Sequence, residues 1–162
     1  MKLDRFYSSL SVLQFSEEWE KWDVRFLKLA KEVSTWSKDP STQVGAVLVN
    51  GNNNICGIGY NGFPKRICDD NRLSNRDRKY EIVIHAEENA IFNSSYSDWS
   101  TVYTYPFPPC VHCASRLIQA GRLDTVVSVV GWPERWDDSI SKAFNLFREA
   151  GVELRMYNQE VY

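Results

Sequence analysis

The chain has 162 residues, a net charge of −2 and a hydrophobic fraction of 43%, which is typical of one globular domain with a substantial core. No run of Lys or Arg exceeds two residues, and this argues against a protein that binds long nucleic acid. Neither an 18-residue apolar stretch nor a signal pattern is present, so no membrane partner and no secretion are expected. We expect a single domain over residues 1–162, with its core at about 15–156, in the cytoplasm.

The first half of the chain predicts a helix, a hairpin and a long loop. Ser16, followed by two acidic residues, is typical of a helix N-cap. Apolar residues then recur at helical steps up to about residue 37 and predict one buried face, formed by Trp19, Trp22, Phe26, Leu29 and Val33. Strands are predicted at 43–49 and 55–60, around an Asn-Gly turn typical of a hairpin. The charged stretch 65–79 has no apolar period, and we interpret it as a long loop.

The second half alternates between helix and strand patterns. The predicted elements, in order, are a helix starting near residue 85, a strand at 101–105, a helix at 110–120, a strand at 125–130, a helix at 138–150 and a strand at 152–156. Gly121 and Gly151 are interpreted as the C′ residues that end the helices before them. This order predicts an α/β fold, a three-layer α/β/α sandwich with a mixed five-stranded sheet.

Four residues of the second half have the chemistry of a metal centre. His85, Cys110 and Cys113 provide three zinc ligands and leave a fourth tetrahedral position open, which is the ligand count of a catalytic zinc. Glu87 lies two residues from the histidine and is predicted to transfer protons instead of binding metal. Pro109 suits the first turn of a helix, and a helix N-terminus favours the thiolate form of both cysteines. We predict one catalytic Zn²⁺, with Glu87 as the catalytic residue.

The cysteine, histidine and glutamate residues of this region also fit other roles. A Cys-x-x-Cys pair alone also fits a redox pair or half of a structural zinc site, but the upstream His-x-Glu favours catalysis. His112 is interpreted as a surface residue or one packed outside the metal ligands, and Glu88 as a solvated or capping carboxylate. Cys56 and Cys68 are expected to be reduced thiols. With two histidines in the chain, a second, structural zinc is not expected.

Three segments carry a resemblance to a known family. The order His-x-Glu followed by Pro-Cys-x-x-Cys is that of zinc-dependent nucleobase deaminases. Residues 39–47 (DPSTQVGAV) resemble the opening strand of the deoxycytidylate deaminase family, 57–64 (GIGYNGFP) resemble its Gly-Tyr-Asn-Gly loop, and 85–91 (HAEENAI) its zinc helix. The resemblance covers about residues 15–155. It implies a cytidine deaminase-like fold and zinc-dependent hydrolysis of deoxycytidylate (dCMP) to deoxyuridylate (dUMP) and ammonia, supplying dTMP synthesis.

The resemblance also implies substrate-binding residues. Asn61 is expected to bind the sugar hydroxyl, and the backbone amide of Ala86 to meet the base carbonyl. Trp136 stands where relatives keep an aromatic residue and is expected to stack on the pyrimidine, while Arg135 is expected to bind the 5′-phosphate. The alternatives are a turn residue for Asn61, packing for Trp136 and a solvated side chain for Arg135.

Regulation is implied by the resemblance as well. The family forms hexamers that dCTP activates and dTTP inhibits, with Mg²⁺ on the phosphates, so a homohexamer and an effector site in the loop 59–70 are expected. The candidate effector residues are Gly59, Asn61, Gly62, Lys65, Arg66, Asp69 and Asp70. The glycines would allow close approach to phosphate, the cations offer positive charge, and the aspartates order the loop or reach magnesium-bound water. A mobile polar loop is the alternative.

Two rival functions stay open at this point. One is deamination of another base or nucleoside, such as cytidine, cytosine, guanine or a tRNA adenosine; the Gly-Tyr-Asn-Gly loop and the lack of a basic face weigh against it. The other is a non-catalytic, zinc-stabilised binding module. Glu87 weighs against that, because a structural zinc site has no use for a carboxylate beside an open position.

Overall fold

The computed structural model describes residues 17–95 and 98–158; the predicted cap at Ser16 and the side chain of Trp19 lie outside this description. The α-helices are α1 (Glu17–Ser34), α2 (Arg76–Ile82), α3 (Ala86–Phe92), α4 (Val111–Ala120) and α5 (Asp137–Glu149). The strands are β1 (Gly45–Asn50), β2 (Ile55–Tyr60), β3 (Trp99–Tyr105), β4 (Thr125–Val129) and β5 (Glu153–Tyr157). Short 3₁₀ helices at Asn71–Ser74 and Glu134–Trp136 precede α2 and α5. None of the helices in the described ranges has the length and apolar character that spanning a membrane requires.

The strands form one mixed sheet in the order β2-β1-β3-β4-β5. β1 runs antiparallel to β2 and β3, while β3, β4 and β5 are parallel to one another. The predicted hairpin joins β1 and β2, and its left-handed residue is Asn53, with φ of 60°. The predicted five-stranded mixed sheet is therefore confirmed.

Side chains alternate between the two faces of the sheet and fill two separate cores. On one face, α1 packs against the strands through Phe26, Leu27, Ala30, Val47, Val49, Tyr103, Val127 and Val129. On the other face, α3, α4 and α5 pack through Ala86, Ala90, Ala114, Leu117, Phe144, Phe147, Ala46, Leu48, Val102 and Val126. The alternation of Ala46 and Leu48 with Val47 and Val49 gives β1 an apolar contact on both faces. The predicted three-layer α/β/α sandwich is thus confirmed.

The predicted long loop 65–79 is wrong in its second half. It contains the 3₁₀ helix Asn71–Ser74 and the first residues of α2. Both short helices are held by caps, because the side chains of Asp70 and Asn75 each accept a hydrogen bond from a backbone N–H of the following turn. The buried residue of α2 is Lys79. Because the buried side chain of α2 is a lysine, this segment has no periodic pattern of hydrophobic residues. Its sequence therefore resembles that of a loop.

Two local predictions about helix ends are also corrected. Gly121 has an extended backbone with φ of −147°, not a left-handed one; a Cβ there would lie 2.6 Å from the ring of Trp99, so packing explains the glycine. Pro109 precedes the N-cap Cys110 and is not in the first turn of α4. Gly151, with φ of 74°, follows α5 in the left-handed conformation that was predicted.

Candidate metal centre and substrate cavity

Four chain segments meet at one edge of the sheet. β1 begins at Gly45, which pairs with the last residues of both β2 and β3, Tyr60 and Tyr105. β4 is parallel to β3 and ends at the same edge. The segments that reach or leave this edge are 37–44, 61–64, 106–110 and 130–136. In open α/β sheets, ligands bind outside the carboxyl ends of the strands, and here that edge carries the metal-binding motif.

The three predicted zinc ligands come together at two helix N-termini. His85 is the N-cap residue of α3, Cys110 is the N-cap residue of α4, and Cys113 lies in the first turn of α4. The His85 Nδ1 atom is 3.5 Å from the Cys110 Sγ and 3.3 Å from the Cys113 Sγ. The Cys113 amide also donates a hydrogen bond to the Cys110 sulfur at 3.5 Å. The starts of α3 and α4 therefore bring the three ligands together.

These distances suit a zinc ion. With Zn–S near 2.3 Å and Zn–N near 2.0 Å, tetrahedral geometry places a nitrogen and a sulfur ligand about 3.5 Å apart. The two observed N···S distances, 3.5 and 3.3 Å, agree with that value. The ligand atoms of His85, Cys110 and Cys113 all lie within 4.8 Å of one another, and no further His, Cys, Asp or Glu joins this cluster among residues 17–95 and 98–158. The residues therefore fit zinc with one open position.

The ligand side chains shift each other's protonation. The pKa of Cys110 is lowered to about 4, chiefly because the Cys113 thiol donates a hydrogen bond to it. The pKa of His85 is raised to about 9, mainly by its hydrogen bond to Cys110. The Cys113 thiol has a raised pKa, because it donates to Cys110 and is buried. A zinc ion takes the place of these shared protons, since it binds neutral imidazole and thiolate.

Glu87 lies beside the ligands and outside their cluster. It sits in the first turn of α3 and is 4% exposed, a burial that is rare for a carboxylate unless it has a function or a partner. Burial raises the pKa of Glu87 to about 7, and the Cys110 thiolate adds to the shift. Glu88, one residue on, is an ion-pair partner of Arg116 at 3.4 Å and is partly exposed.

Two glycines of β2 determine where α3 lies. A Cβ on Gly59 would come within 2.3 Å of the Ala86 carbonyl oxygen, and one on Gly57 within 2.6 Å of the Ala90 carbonyl oxygen. The helix backbone therefore lies directly on the strand, and no other residue type fits. Asn89 anchors the same helix by donating to the Tyr60 carbonyl at 2.8 Å. The sequence predicts room for a phosphate at Gly59, but α3 fills that space. Close packing of the helix, not phosphate binding, therefore explains this glycine.

A family model for the cytidine and deoxycytidylate deaminase zinc-binding region matches residues 20–130. The chain belongs to this family. The deoxycytidylate deaminases of Mus musculus and Homo sapiens are each 38% identical to it over 154 residues, covering 87% of this chain and 82% of theirs. An uncharacterized deaminase of Aliivibrio fischeri is 39% identical over 142 residues, covering 83% of this chain and 92% of that protein. The predicted family and the predicted zinc-dependent deaminase activity are confirmed.

Solved structures show the same fold. The dCMP deaminase of the cyanophage S-TIM5, solved in complex with dCMP and dUMP, aligns with a TM-score of 0.69 at 24% identity and covers 89% of this chain and 100% of that one. Its apo form aligns with a TM-score of 0.66. The predicted cytidine deaminase-like fold is confirmed by this likeness.

One cavity of the deaminase is lined by two of the three metal ligands and by most of the predicted substrate-binding residues. His85, Glu87 and Cys110 line it, and so do Asn61, Ala86 and Trp136. The Asn61 side chain is held in place, because it accepts from the Val44 amide and donates to the Thr42 carbonyl, each at 2.8 Å. The Trp136 indole N–H is buried with no hydrogen-bond partner among the described residues. Asn61 does not have the left-handed backbone of a turn residue; its side chain is held by these two hydrogen bonds and lines the cavity.

The remaining predicted residues lie elsewhere. Arg135 is exposed, and its guanidinium lies 5.8 Å from the centre of the Trp136 ring. Lys65 and Arg66 are exposed in the segment after β2. Asp69 pairs with Lys38, Asp70 caps the 3₁₀ helix and pairs with Arg72, and Gly62 forms a bridge with Ile84 next to His85. The two aspartates therefore order this segment, and the effector roles of these residues stay predictions.

Sequence reasoning missed one pair that lines the cavity, Asp39 and Lys79. From the sequence, Asp39 belongs to a segment that resembles the family, and Lys79 is predicted to lie in a loop. The ammonium of Lys79 is 3.1 Å from the Asp39 carboxylate, and both side chains are almost fully buried. The sequence held no signal for this contact, because it joins residues 40 positions apart and neither belongs to an apolar pattern.

Proposed function

We propose that this deaminase converts deoxycytidylate to deoxyuridylate and ammonia. The observation that carries the proposal is the three-ligand cluster of His85, Cys110 and Cys113, with the buried Glu87 on the wall of the same cavity that His85 and Cys110 line. Three ligands suit a catalytic zinc, not a structural one. Relatives at 38% identity are named deoxycytidylate deaminases, and this supports dCMP over other bases.

The chemistry is shared between the metal and the carboxylate. Zinc, when bound, supplies a Lewis acid that brings the pKa of water close to neutrality. Glu87 takes a proton from the attacking water and delivers it to N3 of the pyrimidine. It then takes the second proton, from the new hydroxyl at C4, and delivers it to the amine, which leaves as ammonia. Its place in the first turn of α3, outside the ligand cluster, puts the carboxylate on the cavity wall, where this transfer occurs.

Residues of the cavity wall orient the substrate. The Ala86 amide is at the N-terminus of α3, where backbone N–H groups have no partner within the helix and are available to the base carbonyl. Asn61 has one amide hydrogen left over from its two backbone contacts and is assigned to the sugar hydroxyl. Trp136, one of the aromatic residues that line the cavity, is assigned to stacking on the pyrimidine.

The proposal predicts a strong preference for the monophosphate. Rates of ammonia release should give a much higher kcat/KM for deoxycytidylate than for deoxycytidine, because a site built for phosphate loses a charged hydrogen bond without it, at a cost of about 1.5–3 kcal/mol, or roughly 10- to 150-fold. Arg135→Ala tests whether the exposed Arg135 contacts the phosphate: a narrower preference would support that role, and an unchanged preference would leave Arg135 a solvated side chain. Equal kcat/KM values for the two substrates would refute the dCMP assignment, and the same assay with cytidine, cytosine and dCTP would then identify the substrate.

We also propose that the deaminase assembles as a homohexamer in the cytoplasm and responds to dCTP and dTTP with Mg²⁺. The candidate effector surface is formed by Lys65 and Arg66, which are exposed, with Gly62 and Asp70 beside them. Gly62 has open space where a Cβ would lie. The four free thiols suit a reducing compartment.

The proposed regulation predicts that the rate depends sigmoidally on dCMP concentration and that dCTP and dTTP shift this curve. An effector must bind one conformational state better than the other, so dCTP should reduce the sigmoidal character of the dCMP rate curve and dTTP should increase it. Lys65→Ala/Arg66→Ala should weaken both effects and leave zinc content unchanged. Light scattering on the same preparations tests the hexamer. Hyperbolic curves that neither nucleotide shifts would mean that this chain lacks the switch.

A further inference from the structure

A buried ion pair outside the metal-ligand cluster forms part of the cavity wall. The Lys79 ammonium lies 3.1 Å from the Asp39 carboxylate and 2.8 Å from the Ser41 hydroxyl. Its side chain is 7% exposed and that of Asp39 is 3% exposed. Removing two charges from water costs about as much as their attraction returns, so such a pair is weak evidence for a role in stability alone.

The charge of Asp39 is shared among several donors. One carboxylate oxygen accepts hydrogen bonds from the Ser41 amide at 2.8 Å, the Thr42 amide at 3.0 Å and the Ser41 hydroxyl at 2.9 Å. Although burial raises the pKa of Asp39, these bonds together with the one from Lys79 lower it below its ordinary value. The carboxylate is therefore ionised and is anchored to its own loop. Lys79 does not have to satisfy it alone.

Lys79 is the one Lys or Arg among the described residues that line this cavity. The three N–H donors of the ammonium face three acceptor atoms within 3.2 Å, namely both Asp39 carboxylate oxygens and the Ser41 hydroxyl. One of those Asp39 oxygens already accepts from Ser41 and Thr42, so the N–H directed at it can turn to a ligand without leaving the oxygen unpaired. A cation of this kind, inside a cavity that also holds Glu87, is suited to an anionic ligand group.

We propose that Lys79 binds the 5′-phosphate of the substrate and is the residue that selects nucleotides over nucleosides. This inference rests on the proposed function. It assigns the contact with the substrate's 5′-phosphate to a residue of the cavity wall. The rival explanation is that the ion pair only fastens α2 to the segment before β1. The two explanations differ in substrate dependence: loss of a phosphate contact affects the nucleotide alone, whereas a loosened wall affects nucleotide and nucleoside alike.

The experiment compares kcat/KM for deoxycytidylate and deoxycytidine in the zinc-loaded protein. The variants are Lys79→Met, which keeps an unbranched stem, Lys79→Met/Asp39→Asn, which leaves no charge unpaired, and Lys79→Arg, which restores a cation. Lys142→Met is the matched control, because Lys142 is exposed, pairs with Asp138 and lies outside the cavity. The expected result is a loss of roughly 10- to 100-fold for deoxycytidylate in both Met variants, with deoxycytidine unchanged, partial recovery in Lys79→Arg and no effect of Lys142→Met.

A second readout follows product binding. The inhibition constant of dUMP should rise in the double variant by a similar factor, while that of deoxyuridine should stay the same. An equal loss for both substrates, or an unchanged ratio, would overturn the assignment of Lys79. Failure of the proposed function is recognised separately, in the wild-type protein: it is refuted when the wild type shows no preference for deoxycytidylate, whatever the variants do.

Discussion

Glu87→Gln is expected to lower kcat by roughly 100- to 10,000-fold, which is the usual contribution of a positioned general acid–base group. The amide is nearly the same size as the carboxylate but cannot accept and deliver the water's proton. Zinc should stay bound, because the ligand cluster consists of His85, Cys110 and Cys113 without Glu87. Metal content by atomic absorption and ammonia release, measured on the same preparation, test both parts of this prediction.

Glu88→Gln is the matched control for that experiment. It removes the same charge one residue later on α3, from a side chain that is partly exposed and paired with Arg116. Exposed ion pairs of this kind contribute little, so activity should stay near that of the wild type. If Glu87→Gln lost zinc to the same extent as a cysteine variant, Glu87 would be a ligand and the proton-transfer role would have to be abandoned.

The metal centre was predictable from the sequence because its geometry is local. Cys110 and Cys113 are brought together by one helical turn, and His85 and Glu87 are fixed by the start of another. Ligand chemistry limits which residue types are suitable, and helix starts limit their spacing. The single long-range condition is that the two starts meet, and the need of one zinc ion for all three ligands already implies this.

The rest of the cavity depends on contacts between distant residues, and these contacts leave no local pattern in the amino-acid sequence. Asp39 and Lys79 are 40 positions apart, and their partnership shows only once α2 lies against the segment before β1. A charged residue in a polar stretch predicts exposure, so Lys79 was assigned to a loop. Gly59 shows the same limit, since its pattern fitted a phosphate-binding turn equally well, and only the position of α3 distinguishes the two.

Asn61 illustrates why two interpretations of one residue need not compete. Its side chain forms hydrogen bonds with the backbone of Thr42 and Val44, in the segment before β1. The same side chain is 7% exposed and lines the cavity. A side chain that is already immobilised loses little entropy when it binds a ligand, so a structural contact here favours the proposed binding role.

Cys113→Ala is expected to abolish stoichiometric zinc binding and to lower stability substantially. Cys113 is fully buried, lies in the first turn of α4 and is flanked by the core residue Ala114. Zinc that binds only the folded state stabilises it by about 4 kcal/mol when its free concentration is 1,000 times the dissociation constant. For a chain of this length that corresponds to roughly 8–16 °C in Tm. Thermal unfolding with added zinc and with a chelator measures the effect.

The pattern across conditions separates lost metal from lost packing. Cys56→Ala is the matched control, because Cys56 is also a buried free thiol but lies outside the ligand cluster. It should show a small loss of Tm from the deleted sulfur and keep the wild-type response to chelator. Cys113→Ala, by contrast, should melt at the same temperature with and without zinc, near the Tm of the chelated wild type, because its stability no longer depends on metal concentration. A Cys113→Ala protein that held one equivalent of zinc would contradict the ligand assignment on which the proposed chemistry depends.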